Sequence, residues 1–358
     1  MKKTISAAVA LSIFAAPAIA ANLENPLYMP KQGSVYSKTS AGVMYKIADD
    51  SDAHQLKNHD GATEFPIWRV HEELGYGILD NLEAYAKLGY THDGDIDRKG
   101  IHLGRAGLKY RAINTDDGWV WDLYADAQLG GIVEMSGSYA ANGFTYDNYS
   151  TGRWGFHVGT QVGKTWSKFS TAAFVEVLRT FGNDNNSIDV TAMPFPVDLS
   201  DIGHGVVLFN NKQFGFPDEI SVDLKSTTEL NAGLKMFYQL DDRWSFGGGF
   251  TFKHHADNGV EGLASDLGDI NTGMGAAVDA DLTANKAQET AVKTLMDKVS
   301  DMEDGFDEYI LNLTAAYQMT DTMQVAVYGE YTFDESHVNS QNGTDVKAEL
   351  GVRLNVQF

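Results

Sequence analysis

The chain has 358 residues with 36 glycines, 18 phenylalanines, 16 tyrosines, only seven prolines and no cysteine, a composition rich in strand and turn formers. The missing thiols exclude disulfides, thiol catalysis, cysteine-based metal sites and a lipid-anchored N-terminal cysteine. A formal charge of −22 argues against nucleic acid, and no window supplies the roughly 20 consecutive apolar residues of a membrane-spanning helix.

The N-terminus opens with Lys2 and Lys3, then a short apolar run to Ala16, then Pro17 and the triplet Ala18-Ile19-Ala20. This is the layout of a secretory signal peptide, residues 1–20, with cleavage expected after Ala20. Residues 21–32 are expected to form a short periplasmic lead, and 33–358 a single domain. In that domain twelve segments alternate apolar and polar residues with the period of two that marks a two-faced strand. They cover about 34–48, 66–77, 82–92, 100–112, 119–135, 153–165, 168–180, 219–238, 243–255, 308–319, 323–334 and 346–358. Ten or fourteen strands fit the same pattern, because segment boundaries are blurred.

The connections alternate in length. Tight turns fall near 79–81, 114–118, 165–168, 241–242 and 320–322, and each carries turn-forming residues. The breaks after strands one, three, five, seven, nine and eleven are longer and acidic. Trp119, Trp121, Trp166, Trp244, Tyr110 and Tyr238 gather beside the tight turns, as an interfacial girdle would. Glu72 falls on the apolar parity of strand two, where an ionised group at mid-membrane costs up to roughly 2 kcal/mol. A bulge, a register shift or a paired or protonated carboxyl is expected there.

Two loops stand out. Residues 182–218 contain an apolar island at 206–209 and are expected either to fold into a barrel mouth or to pack on its rim. Residues 256–305 are glycine-rich at first and then take helical spacing over 282–302. There Ala284, Ala287, Ala291, Leu295, Val299 and Met302 form one stripe, which predicts a helical insertion.

The last segment carries the clearest signal. Val346, Ala348, Leu350, Val352, Leu354, Val356 and Phe358 alternate with Lys347, Glu349, Gly351, Arg353, Asn355 and Gln357. An alternating final strand ending in Phe358, behind a signal peptide, resembles the assembly signal of Gram-negative outer-membrane β-barrels of porin-like type. Val356 departs from the pattern, since many such signals have an aromatic residue there. The resemblance implies an antiparallel up-and-down barrel of about twelve strands in the bacterial outer membrane. It also implies contacts with outer-membrane lipid, lipopolysaccharide and the barrel assembly machinery, the last reading Leu354, Val356 and Phe358. Small polar solutes are the implied cargo. Oligomeric state is left open.

Charges on the inward parity divide the predicted barrel. Strands twelve and one to four carry Lys347, Arg353, Lys38, Lys46, Arg69, Lys87, Arg105, Lys109 and Arg111 against Glu349, Glu73 and Glu83. Strands five to eleven carry Asp122, Asp126, Glu176, Asp223, Glu229, Glu308 and Glu330 against Arg153, Lys225, Lys235 and Lys253. A basic wall facing an acidic wall predicts either a transverse field across an aqueous pore or opposed charges that pair and fill it. Enzyme signals are weak. Residues 93–97 start like a calcium loop, but Arg98 and Gly104 occupy positions that need Gly and Glu. His337 and Ser340 faintly suggest a lipid hydrolase, while His254 and His255 are adjacent on a strand and so point to opposite faces. No catalytic residue, cofactor or metal site is assigned. The expected function is a porin-like channel for small polar or charged solutes. The alternatives are a non-conducting surface protein with acidic loops that contact cations or another cell, and an outer-membrane lipid hydrolase.

Overall fold

A computed structural model describes residues 22–47, 66–93, 98–132, 134–139, 144–146, 153–189, 194–198, 206–210, 219–224, 226–257, 260–261, 304–334 and 346–358. Twelve long strands form the wall: β1 (Val35–Ile47), β2 (Ile67–Leu79), β3 (Leu82–Asp93), β4 (Arg98–Asn114), β5 (Trp119–Gln128), β6 (Gly155–Trp166), β7 (Phe169–Thr180), β8 (Thr227–Gln239), β9 (Trp244–Asp257), β10 (Asp304–Gln318), β11 (Met323–Asp334) and β12 (Val346–Gln357). Each pairs antiparallel with its sequence neighbours, and β12 pairs with β1 from Tyr36↔Gln357 to Ile47↔Val346, so the sheet closes. Val35 and Phe358 exchange backbone hydrogen bonds of 3.2 and 2.8 Å at the end of that seam. The strands have 10 to 17 residues, enough to cross a bilayer when tilted.

The packing is inside out relative to a water-soluble protein. Leu313, Leu350 and Val352 are 72, 64 and 55% exposed, whereas Asp122, Asn355 and Glu83 are 0 to 2% exposed. β12 shows the rule residue by residue: Glu349, Gly351 and Asn355 are buried, and Leu350, Val352 and Leu354 face out. An apolar belt of this extent needs lipid. The six aromatics predicted beside the tight turns are all exposed at that rim. A second girdle at the other rim, made by Tyr45, Trp68, Tyr90, Trp154, Phe181 and Tyr331, completes the belt.

The tight turns are built from local polar bonds. Asp241 accepts the backbone N–H groups of Trp244 (2.7 Å) and Arg243 (2.8 Å), which hold its carboxyl below the usual carboxylate range. Glu72 does sit on the outer face, in an unbroken register opposite Thr39. There is no bulge beside it. The hydroxyls of Ser37 (2.6 Å) and Thr39 (2.5 Å) donate to its two oxygens instead.

Two expected segments differ. The predicted strand at 219–238 is split. Glu219–Leu224 pairs with Asn183–Asp189 and Val260–Glu261 in a separate three-stranded sheet, and the wall strand begins only at Thr227, opposite Thr180. The fifth strand stops at Gln128 and gives way to a 3-10 turn, Gly130–Ile132. The apolar island forms a hairpin, Pro194–Asp198 with Val206–Asn210. The predicted helix at 282–302 and the signal peptide lie outside the described residues.

The outward face yields a direct check. Leu313 is half-way along β10, and Leu313→Lys is expected to destabilise the barrel refolded into lipid bilayers by about 2–4 kcal/mol, as read from denaturant titration of the heat-modifiable gel band.

Candidate functional site: the barrel lumen

The tight-turn end of the lumen is closed by the chain's own N-terminal segment. Residues 22–34, which include most of the lead expected at 21–32 in the periplasm, turn into the barrel. Asn22 and Asn25 start the fold: their side-chain oxygens accept the N–H groups of Glu24 (3.1 Å) and Leu27 (3.0 Å) as Asx turns. Three backbone carbonyls then meet inward donors. Gln161 reaches Pro26 O (3.0 Å), Arg111 reaches Leu27 O (2.7 Å) and Lys109 reaches Tyr28 O (2.8 Å). On the far wall Glu24 takes two bonds from Arg353 (2.9 and 3.1 Å) and one from Asn355 (2.7 Å). Asn22 meets Gln239 and Gln324. Leu27 packs with Val120 and Ala172 into a small buried apolar cluster. A Cβ at Gly77 would stand 2.0 Å from Lys31 O, so the segment's close approach to β2 needs glycine there. The segment therefore touches β2, β4, β5, β6, β7, β8, β11 and β12, which spans the lumen.

The reason is satisfaction of buried polar groups. Wall residues that point into a narrow cylinder lose water, and the segment's carbonyls and Glu24 replace it. Arg111 shows the cost of undoing this. It makes a paired contact with the fully buried Asp122 (2.8 and 3.0 Å) as well as its bond to Leu27 O. Removing one partner of such a pair typically costs about 3–5 kcal/mol.

At mid-height the wall charges are stitched to their neighbours. Lys38 and Lys87 share Glu73 (both 3.3 Å), and Lys109 lies 3.5 Å from Glu83. Asp126 accepts from Tyr85 (2.8 Å) and from His157 Nδ1 (2.7 Å), with Arg105 at 4.0 Å. His157 Nε2 is 3.5 Å from Glu176, which also accepts from Tyr124 (2.6 Å). Arg69 pairs with Glu349 at 3.2 Å, and Lys253 lies between Glu229 (3.8 Å) and Glu308 (3.7 Å). These pairs run along the wall, between adjacent strands or, as for Arg69 on β2 with Glu349 on β12 and Tyr85 on β3 with Asp126 on β5, over one intervening strand, rather than across the lumen. Lys235 has no ion-pair partner among the described residues. Its ammonium lies 4.3 Å from the centre of the Phe174 ring.

Above this layer, in the long-loop half, a cavity of about 130 Å3 is lined by Met44, Arg69, Lys253, Glu308, Ile310, Glu330, Thr332 and Glu349. Asp223, expected on the acidic wall, belongs to the separate three-stranded sheet and not to the barrel wall, because β8 begins after it. Lys347 lies in β12, but its side chain is outside the described residues, as are Ala18, Ala20, His337 and Ser340. His254 faces out to Asp307 (2.6 Å) and His255 faces in to Glu308 (3.3 Å), on opposite faces as expected. Among the described residues no group of three or more His, Cys, Asp or Glu side chains is placed to hold a metal ion.

A solved structure shares this fold at low sequence identity. The COG4313 outer membrane channel from Pseudomonas putida F1 aligns over 95% of this chain and 100% of its own, with TM-score 0.53 and 11% identity. This is the fold of an outer-membrane β-barrel. A NanC porin structure aligns over 90 and 98% of the two chains (TM-score 0.41, 9% identity), and the TodX monoaromatic hydrocarbon channel deltaS2S3 mutant over 92 and 90% (0.43, 8%). No family profile matches the sequence, and no curated protein matches it.

The outer-membrane barrel has no native cysteine, so its closed end is easily probed. A Leu27→Cys variant is expected to resist a water-soluble thiol reagent and to react several-fold faster once Glu24→Ala removes the anchor on β12. Equal labelling rates would contradict the closure described above.

Proposed function

We propose that the protein is a channel in the bacterial outer membrane for small polar solutes, with a watery vestibule facing the long loops and a floor closed by residues 22–34. Lys87 carries the reading. Its side chain points into the barrel at mid-height, is held by Glu73, and is still 41% exposed, which supports open space at the middle of the lumen. A lumen packed solid by its own side chains leaves no such surface. In this reading the N-terminal segment is the element that limits conduction, and it leaves the wall intact when it is withdrawn. The C-terminal strand, with Leu354, Val356 and Phe358, is the part engaged by the assembly machinery.

The floor of the vestibule favours anions. Lys38 and Lys87 together face one carboxylate, Glu73, and Lys235 adds a further unpaired cation from β8. Charged rings of one sign select the opposite ion. In this reading small carboxylates and phosphates are favoured over cations of the same size, with Glu176 as the carboxylate that offsets Lys235 in part.

Planar-bilayer recording tests both parts. The full mature chain is expected to show small conductance and an anion-biased reversal potential in a salt gradient. Deleting residues 22–31 raises the conductance several-fold, and Lys235→Gln shifts the reversal potential toward cations. A barrel that stays silent with the segment deleted sinks the channel reading and leaves a non-conducting surface protein.

A further inference from the structure

His71 and His102 form a second site in the lumen that the charge pattern does not explain. His71 points inward from β2, between Arg69 and Glu73, and so lies between the cavity wall and the Lys87 layer. His102 reaches the same place through a β-bulge: Gly89 pairs with Leu103 and Tyr90 with Ile101, which leaves residue 102 as the extra one. Bulges of this kind re-aim a side chain. Gly89 then gives the two rings their space, since a Cβ there would stand 2.7 Å from both His71 Cδ2 and His102 Cε1. The result is an Nε2···Nε2 distance of 3.0 Å with the rings 73° apart and their centres 5.0 Å apart.

We propose that this pair is a binding site for a late first-row divalent cation, with Cu2+ held most tightly and Ni2+ and Zn2+ less so. Metal–imidazole bonds of about 2.0–2.1 Å to two ligands in adjacent coordination positions place their nitrogens about 3 Å apart. The observed separation matches that without moving the backbone. In this contact one Nε2–H donates to the other nitrogen, and for both neutral imidazoles to ligate through Nε2 the donor ring moves its proton to its own Nδ1 when the cation enters. The flanking cations are already held by carboxylates, Arg69 by Glu349 and Lys87 by Glu73, which lowers their repulsion of an incoming ion. Water or the cation's own small ligands fill the remaining positions. The preference order follows the general affinity series for nitrogen ligands.

The test uses refolded full-length mature protein in detergent micelles, titrated with Cu2+ alone and read by electron paramagnetic resonance. His71→Gln and His102→Gln, each checked for the heat-modifiable band of a folded barrel, are each expected to lose one copper equivalent relative to the parent. The parent spectrum is expected to carry hyperfine splitting from imidazole nitrogen that both variants lack. Unchanged copper stoichiometry and splitting in both folded variants would overturn the proposal. Copper binding is read without current, so a barrel that fails to conduct does not decide this result. Where current is seen, block by Zn2+ in the parent and not in His102→Gln adds a second readout.

Discussion

The whole architecture depends on a bilayer's inability to hydrogen-bond a backbone. Every N–H and C=O at membrane depth has to find a partner within the protein, and a sheet does this only by closing on itself. The β12–β1 seam is therefore a requirement, and its ladder runs without interruption from Tyr36 to Ile47. Once the sheet closes, side chains divide by parity. Leucines and valines meet acyl chains, and lysines, arginines and carboxylates are forced into a cylinder too narrow to hydrate all of them.

That second consequence shapes the lumen. Buried charge is tolerated when it is paired and fully hydrogen-bonded, and the wall achieves this in two ways. At mid-height, residues on adjacent strands neutralise one another, as with Lys87–Glu73 and Lys38–Glu73. At the tight-turn end wall donors bond to the N-terminal segment, through Glu24 and the carbonyls of Pro26, Leu27 and Tyr28. Closure of that end is thus a result of satisfying the wall, and withdrawing the segment leaves Lys109, Arg111 and Arg353 in search of water.

Strand number, topology and the inward or outward sense of most wall residues could be read from the sequence, because a period of two survives wherever lipid lies on one side. Glu72 stands out by the same logic, and of the remedies expected there the structure shows a carboxyl paired with two neighbouring hydroxyls and no bulge. The features that were missed do not leave a periodic trace. The lead at 21–32 reads as a short periplasmic segment, and the burial of Leu23 and Leu27, apolar and four apart, leaves no periodic pattern long enough to reveal it. His102 sits on the wrong parity until the bulge is known. Local charge pairing depends on register between strands, which composition by wall does not contain. The break before Thr227 is invisible because the alternation continues across it into a different sheet.

The most direct test of this account is a nitroxide scan along residues 346–358 in lipid bilayers, comparing collision with oxygen and with a water-soluble nickel complex. The account expects the two accessibilities to alternate out of phase with a period of two, oxygen being highest at Leu350, Val352 and Leu354 and lowest at Glu349, Gly351 and Arg353. Accessibilities that rise and fall together, or that show no alternation, would contradict a lipid-facing barrel with a polar lumen.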